Sequence, residues 1–162
     1  MPISIPEGEP RALVRRFLTE PQERALLGLL ATHDTLMRAL ETRLLAAHRL
    51  SLSAFETLIA ILHAEGAEST ITELAHEVRL SPSRVSRLVA ELEGSGLVER
   101  RRSAADSRAT SVSVTERGWE RVQEAAPAYL ETSRAILFDR LSPRDIDRLA
   151  RIWDRLRVAE KR

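Results

Sequence analysis

The sequence contains no cysteine in its 162 residues. That excludes disulfides, thiolate metal sites, a cysteine nucleophile and thiol redox sensing. An excess of one charge is also missing. Twenty-five basic side chains against 24 acidic ones leave a formal net charge of +1, so the chain as a whole carries no nucleic-acid signature. No apolar run nears the roughly 18 residues that span a bilayer. Met1 to Pro10 lacks the basic start and apolar stretch of a signal peptide. We therefore expect a cytoplasmic protein with no membrane partner. Gly-rich phosphate loops, a Gly-x-Ser-x-Gly elbow and a His-Glu-x-x-His helix are all absent. The carboxylates are scattered over helix faces among arginines, so neither an enzyme nor a cofactor is expected. His33, His48, His63 and His76 form no i, i+4 pair and have no cysteine partner, and no metal site is expected from them. Lysine is nearly absent too: all but one of the basic residues are arginine, the exception being Lys161.

The length suits one compact domain, or one domain with an appendage, and can bury a core without staples. Charge is segregated along it. Residues 51–78 carry five acids and no base, whereas residues 79–108 carry seven arginines against four acids. A local basic stretch in a neutral chain is a candidate electrostatic footprint, although a solvated helix face gives the same pattern.

Periodicity places the elements. Residues 1–20 form an arm or short helix. From Pro21, the spacing of Leu26, Leu30, His33, Met37, Leu40 and Leu44 makes one face of a long helix to about His48. Ser53 to Glu56 reads as a capping box opening a second helix to about His63, followed by a loop at Glu65–Glu68. Thr70 to Glu73 is a second capping box, opening a short helix. Ser81-Pro82 reads as N-cap and first-turn proline of a helix carrying Val85, Leu88, Val89 and Leu92 on one face and ending at Gly94. Leu97–Arg100 and Ser111–Val114 alternate like strands of a hairpin with a long charged tip. Thr115 caps a helix to about Arg140, with a kink or break expected near Pro127. Ser142-Pro143 opens the last helix, whose apolar face is Ile146, Leu149, Ile152, Trp153 and Leu156. Trp119, Tyr129 and Trp153 are expected to pack structurally.

Two short helices joined by a tight turn, the second starting with serines and arginines, are a helix-turn-helix candidate. The aliphatic face holds the second helix rigid. Ser81, Ser83, Arg84, Ser86 and Arg87 lie in its first turns, where such a helix reaches base edges in the major groove. Arginine pairs bidentately with guanine, and serine adapts to either base type. The hairpin that follows is a wing. Arg101 and Arg102 are candidate phosphate contacts, and Arg108 beside the small tip is a candidate minor-groove probe.

Residues 50–122 resemble the MarR family of winged helix-turn-helix transcription regulators. The matching pieces are Leu50 to Leu58, Glu73-Leu-Ala75, Ser81 to Glu93, Gly96-Leu-Val-Glu-Arg100, Asp106-Ser-Arg108 and Val114-Thr-Glu-Arg-Gly118. Arg79 stands in a turn where glycine is common, and Asp-Ser-Arg stands where the family often has Asp-Arg-Arg. The resemblance implies a mostly α protein with a small β-hairpin wing. Its parts would be an arm at 1–20, an N-terminal dimerisation helix at 21–49, a DNA-binding domain at 50–115 and C-terminal dimerisation helices at 116–162. It also implies a homodimer on double-stranded DNA, acting as a repressor relieved by a small-molecule effector, with Asp106 bracing the wing. His33 and Met37 are candidates to line a ligand pocket, against ordinary packing. The alternatives are an activator or ligand-independent repressor on the same fold, or a winged-helix protein-interaction module.

Overall fold

A computed structural model describes residues 16–102 and 110–157. Among them are six helices: α1 (Glu20–His48), α2 (Leu52–His63), α3 (Ile71–Glu77), α4 (Pro82–Gly94), α5 (Glu116–Leu137) and α6 (Pro143–Arg157). Three strands, β1 (Glu68–Thr70), β2 (Val98–Arg102) and β3 (Thr110–Val114), form an antiparallel sheet in the order β1-β3-β2. The fold is mostly helical with a small sheet.

Capping chemistry accounts for the helix starts. Thr70 Oγ1 accepts from the Glu73 amide while the Glu73 carboxylate accepts from the Thr70 amide, closing the expected capping box. Ser81 caps α4, with Pro82 in its first turn. Thr115 Oγ1 accepts from the Gly118 amide at the start of α5.

Four local expectations are corrected. The cap of α2 is Ser51, whose hydroxyl accepts from the Ala54 amide, and not Ser53. The Leu52 amide is instead bound by Glu41 of α1, 11 residues away, at 2.6 Å. The stretch read as a loop before Thr70 is a 3₁₀ turn at Glu65–Ala67 leading into β1, whose Ser69 pairs with Val112. The α4 helix ends one turn-motif later than expected: Gly94 stays helical, and Gly96 takes the left-handed conformation at φ 71°. The amides of Gly96 and Leu97 then reach the carbonyls of Glu93 and Leu92, which buries Leu97. Finally, α5 runs unbroken through Pro127 and ends at Leu137. The carbonyl that loses its partner belongs to Gln123, which faces solvent, so water can satisfy it.

The chain divides into two compact units. One is Ala39–Ala135, and its core draws on its helices and its sheet together. Leu40 and Leu44 of α1, Leu58 and Ile61 of α2, Leu74 of α3, Val85 and Val89 of α4, and Val112 of β3 are almost completely buried. The Phe55 and Tyr129 rings stack with centroids 4.9 Å apart. The other unit takes its described residues from 16–38 and 136–157, and no side chain of 16–38 or 136–156 is buried. Leu26, Leu27, Leu29 and Leu30 on α1 and Ile152, Trp153 and Leu156 on α6 are all exposed in the single chain. No single helix among the described residues is long and apolar enough to cross a membrane.

Candidate nucleic-acid interface

The α3–α4 corner depends on Arg79. It takes φ 54°, and its amide and that of Leu80 close back onto His76 and Ala75. This is the αL helix end usually given to glycine, so the strain expected from an arginine there is present. The turn sets α4 across α3. Val85, Val89 and Leu92 face the core, while Leu88, expected on the same face, is only half-buried.

The opposite side of α4 is cationic at its start. Ser81, Ser83, Arg84 and Arg87 are exposed, and Ser86 is half-buried. The Ser81 and Ser83 hydroxyls lie 3.2 Å apart. Arg87 Nε donates to the Ser83 carbonyl at 3.4 Å, a long bond to its own helix that is easily exchanged for an external acceptor. Arg84 and Arg87 flank an open cleft of about 230 Å³, completed by Ser53, Leu80, Leu88 and Glu91. Toward its C-terminus the helix turns acidic with Glu91 and Glu93. Positive charge is therefore confined to the first two turns, and a polyanion is favoured only there.

The wing strands lie beside α4. Val98 pairs with Val114 and Arg100 with Val112. Arg101 is exposed and pairs with Glu99 at 2.6 Å, and Arg102 closes β2 opposite Thr110. Asp106 and Arg108 lie outside the described residues. His33 and Met37 sit on α1, His33 exposed and Met37 half-buried. The apolar-face position read for His33 therefore does not bury it within the chain. Of the aromatic residues expected to pack, Tyr129 does, while Trp119 is 47% exposed and Trp153 lies at the surface. Among the described residues, no group of three or more His, Asp or Glu is placed to hold a metal ion.

The sequence alone assigns Arg100 no role of its own. Its Nη2 donates to the Ser86 carbonyl at 3.2 Å, and its Nε stands 3.2 Å from Glu93 Oε2. The Nε contact is an ion pair only. That buried N–H makes no hydrogen bond of usable geometry. Nothing local in Glu99-Arg100-Arg101-Arg102 separates this arginine from its neighbours; only the strand alternation turns it toward α4.

A model of the MarR family matches residues 50–109. An uncharacterized HTH-type transcriptional regulator of Bacillus subtilis, YdgJ, is 34% identical over 76 residues, which span 47% of this chain and 45% of that relative, so under half of its length is matched. The crystal structure of Sco3205, a MarR family transcriptional regulator from Streptomyces coelicolor in complex with DNA, has a TM-score of 0.78 at 25% identity, covering 86% of this chain and 88% of that one. AbsC, another MarR family regulator from the same organism, gives 0.76 at 28% identity, covering 87% and 97%.

Proposed function

We propose that this chain, similar over residues 50–109 to the MarR family of transcriptional regulators, is such a regulator, binding DNA sequence-specifically as a homodimer and repressing by occluding promoter DNA. The observation that carries this reading is the exposed set Ser83, Arg84 and Arg87 on the first turns of a helix whose other face is locked into the core. A rigid helix presenting two arginines suits bidentate readout of guanine in the major groove. Ser81, Ser86, Arg101 and Arg102 would add phosphate and base contacts. Arg108 would probe the minor groove, with Asp106 bracing it.

Dimerisation would come from the helices at 21–49 and 116–162, through those of their apolar residues, such as Leu26, Leu30, Ile152 and Trp153, that lie outside Ala39–Ala135 and are exposed in one chain. A dimer presents two such helices, so its operator would be a pseudo-palindrome with half-sites about one helical turn apart. Release would follow binding of a small ligand that prefers the DNA-incompetent form. The activity is binding, not turnover.

Selection of bound sequences from random DNA tests the reading. The expected motif has two symmetry-related halves. A winged-helix protein-interaction module would return no motif and no salt-sensitive affinity. Arg84→Ala and Arg87→Ala should then each weaken operator binding by about 1–3 kcal/mol and relax preference at one base position per half-site, leaving random-sequence binding much less changed. An equal drop on both DNAs would reduce these arginines to phosphate contacts.

A further inference from the structure

We propose that Arg100 is the positioning residue that sets the angle of α4 against the wing, and so governs sequence discrimination without touching DNA. The inference rests on the DNA-binding reading above. Its basis is geometric. Ser86 and Glu93 lie two turns apart on α4, and one guanidinium reaches both, through Nη2 to the Ser86 carbonyl and Nε to the Glu93 carboxylate. Arg100 itself is fixed on β2 by pairing with Val112 of β3, whose side chain is completely buried. The strand therefore grips the helix at two points along its axis, which resists both rotation and tilt. A single contact would leave one of these motions to the core packing of Val85, Val89 and Leu92 alone.

The grip also lies close to the reading surface. Ser86 is flanked by Arg87 and sits two residues from Arg84, so a rotation of α4 that its carbonyl contact prevents would move both arginines together. Bidentate pairing tolerates little displacement, whereas a phosphate contact tolerates much more. Loosening the clamp should therefore degrade discrimination at every base the helix reads while leaving charge-driven binding in place. Arg100 is unlike Arg101 in this respect. Arg101 is turned away, largely exposed and paired with Glu99 on its own strand. The other end of α4 has its own anchor: the Thr115 hydroxyl donates to the Gly96 carbonyl at 2.7 Å. Arg100 grips between that anchor and the first turns.

The test compares the full-length wild type with Arg100→Gln, Arg100→Lys and Glu93→Gln. Each is titrated with the selected operator, with operators changed one base at a time, and with random DNA over a range of salt. Arg100→Gln should lower the ratio of operator to random affinity about tenfold, spread over all positions read by α4. Random-DNA affinity and its salt slope should stay as in the wild type. Arg100→Lys keeps the charge but offers donors on one nitrogen in place of the rigid fork that meets Ser86 and Glu93 from two, so it should fail to restore the ratio. Glu93→Gln, a surface change that keeps the fold, should lower the ratio by a smaller factor of about three. Adding it to Arg100→Gln should cause no further loss. A full ratio in Arg100→Gln and Glu93→Gln would overturn the proposal. So would loss at a single base position, or an equal loss on all DNA with a reduced salt slope, since either marks Arg100 as a direct contact. A wild type without sequence preference would instead remove the DNA-binding reading, and this inference with it.

Discussion

Ala39–Ala135 and the unit formed by the flanking segments obey opposite rules. The first closes its own core: Leu40, Leu58, Val89 and Val112 have almost no exposed surface. The second has the same aliphatic residue types on the same kind of helix and buries none of them within the chain. Apolar content alone does not make a core. The winged unit has a sheet, short crossing helices and tight corners that bring several elements around each aliphatic side chain. The flanking unit has long stripes that need a facing surface, which in the proposed homodimer is a second chain.

The most direct way to break this contrast is to cut one leucine from each unit. Leu58→Ala should cost about 2–5 kcal/mol, because it empties a fully buried site. Its thermal midpoint should fall equally at low and high protein concentration. Leu30→Ala starts from a side chain 56% exposed in the single chain. Its loss should depend on concentration, since it weakens association and leaves the fold of each chain intact. Sedimentation and melting at two concentrations check both. A concentration-independent loss of several kcal/mol for Leu30→Ala would mean that the flanking unit has a closed core after all.

Glycine gives a second matched pair. A Cβ at Gly118 would collide with the Leu97 carbonyl oxygen and come within 2.7 Å of Val114 Cγ1, where the start of α5 passes over the wing. A Cβ at Gly28 on α1 meets nothing within 4 Å. Gly118→Ala should therefore destabilise by about 3 kcal/mol, as overpacking against backbone does. Gly28→Ala should stabilise by about 0.5–1 kcal/mol through helix propensity alone. Denaturant unfolding of the two variants separates them. Equal small effects would mean that α5 can slide away from the wing freely.

Much of this architecture was legible because its signals are local. The Thr70–Glu73 box, Ser81-Pro82 and Thr115 mark helix starts through neighbours three residues away, and the positions of Ser83, Arg84 and Arg87 on α4 follow from its period. What was misread depends on partners distant in sequence. Ser51 takes the cap in place of Ser53 because Glu41, back on α1, claims the next amide. β1 is only three residues long, and it is a strand because β3 pairs with it. Gly96, not Gly94, turns left-handed because Leu97 must then enter the core. Arg100 has the same limitation, for both its partners lie on another element.

Strain falls in the same unit as the core. Among the described residues, the non-glycine positions with positive φ are Arg49, Ala67 and Arg79, all within Ala39–Ala135. A packed core can hold a residue in a conformation it disfavours, and the flanking unit, whose described side chains are not buried, has no such core to do so. Arg79→Gly should relieve the strain at the α3–α4 corner and stabilise by about 0.5–1 kcal/mol, net of the extra freedom glycine gives the unfolded chain. Thermal melting reads the sign. A loss on this substitution would show that the arginine side chain contributes more than its backbone strain costs.

The smallest expected effect contrasts the two units through their carboxylates. Glu56 on α2 is half-buried, and its carboxyl is held above the ordinary glutamate range, first by burial and then by the neighbouring Glu41 charge. Glu56 in turn helps burial raise the Tyr129 phenol. Asp145 on α6 is exposed, and its carboxyl is held below the ordinary aspartate range, first by the Ser142 hydroxyl, which donates to it at 2.6 Å. The signs follow from linkage. At Glu56 the folded chain holds a proton more tightly than the unfolded chain does. Its contribution to stability is present at acid pH and lost as pH rises through the folded-state value. At Asp145 the folded chain holds the proton less tightly. Its contribution is present above the unfolded-state value and lost as pH falls through the folded one. Glu56→Gln should therefore raise the melting midpoint near neutral pH, and Asp145→Asn should lower it slightly. Both differences from the wild type should shrink on acidification, from opposite sides. Midpoints measured from about pH 7 down to about pH 4, spanning the carboxylate range, check this. If Glu56→Gln also lowers the neutral-pH midpoint, the charged carboxylate has a stabilising partner, and the winged unit tolerates buried charge better than its packing implies.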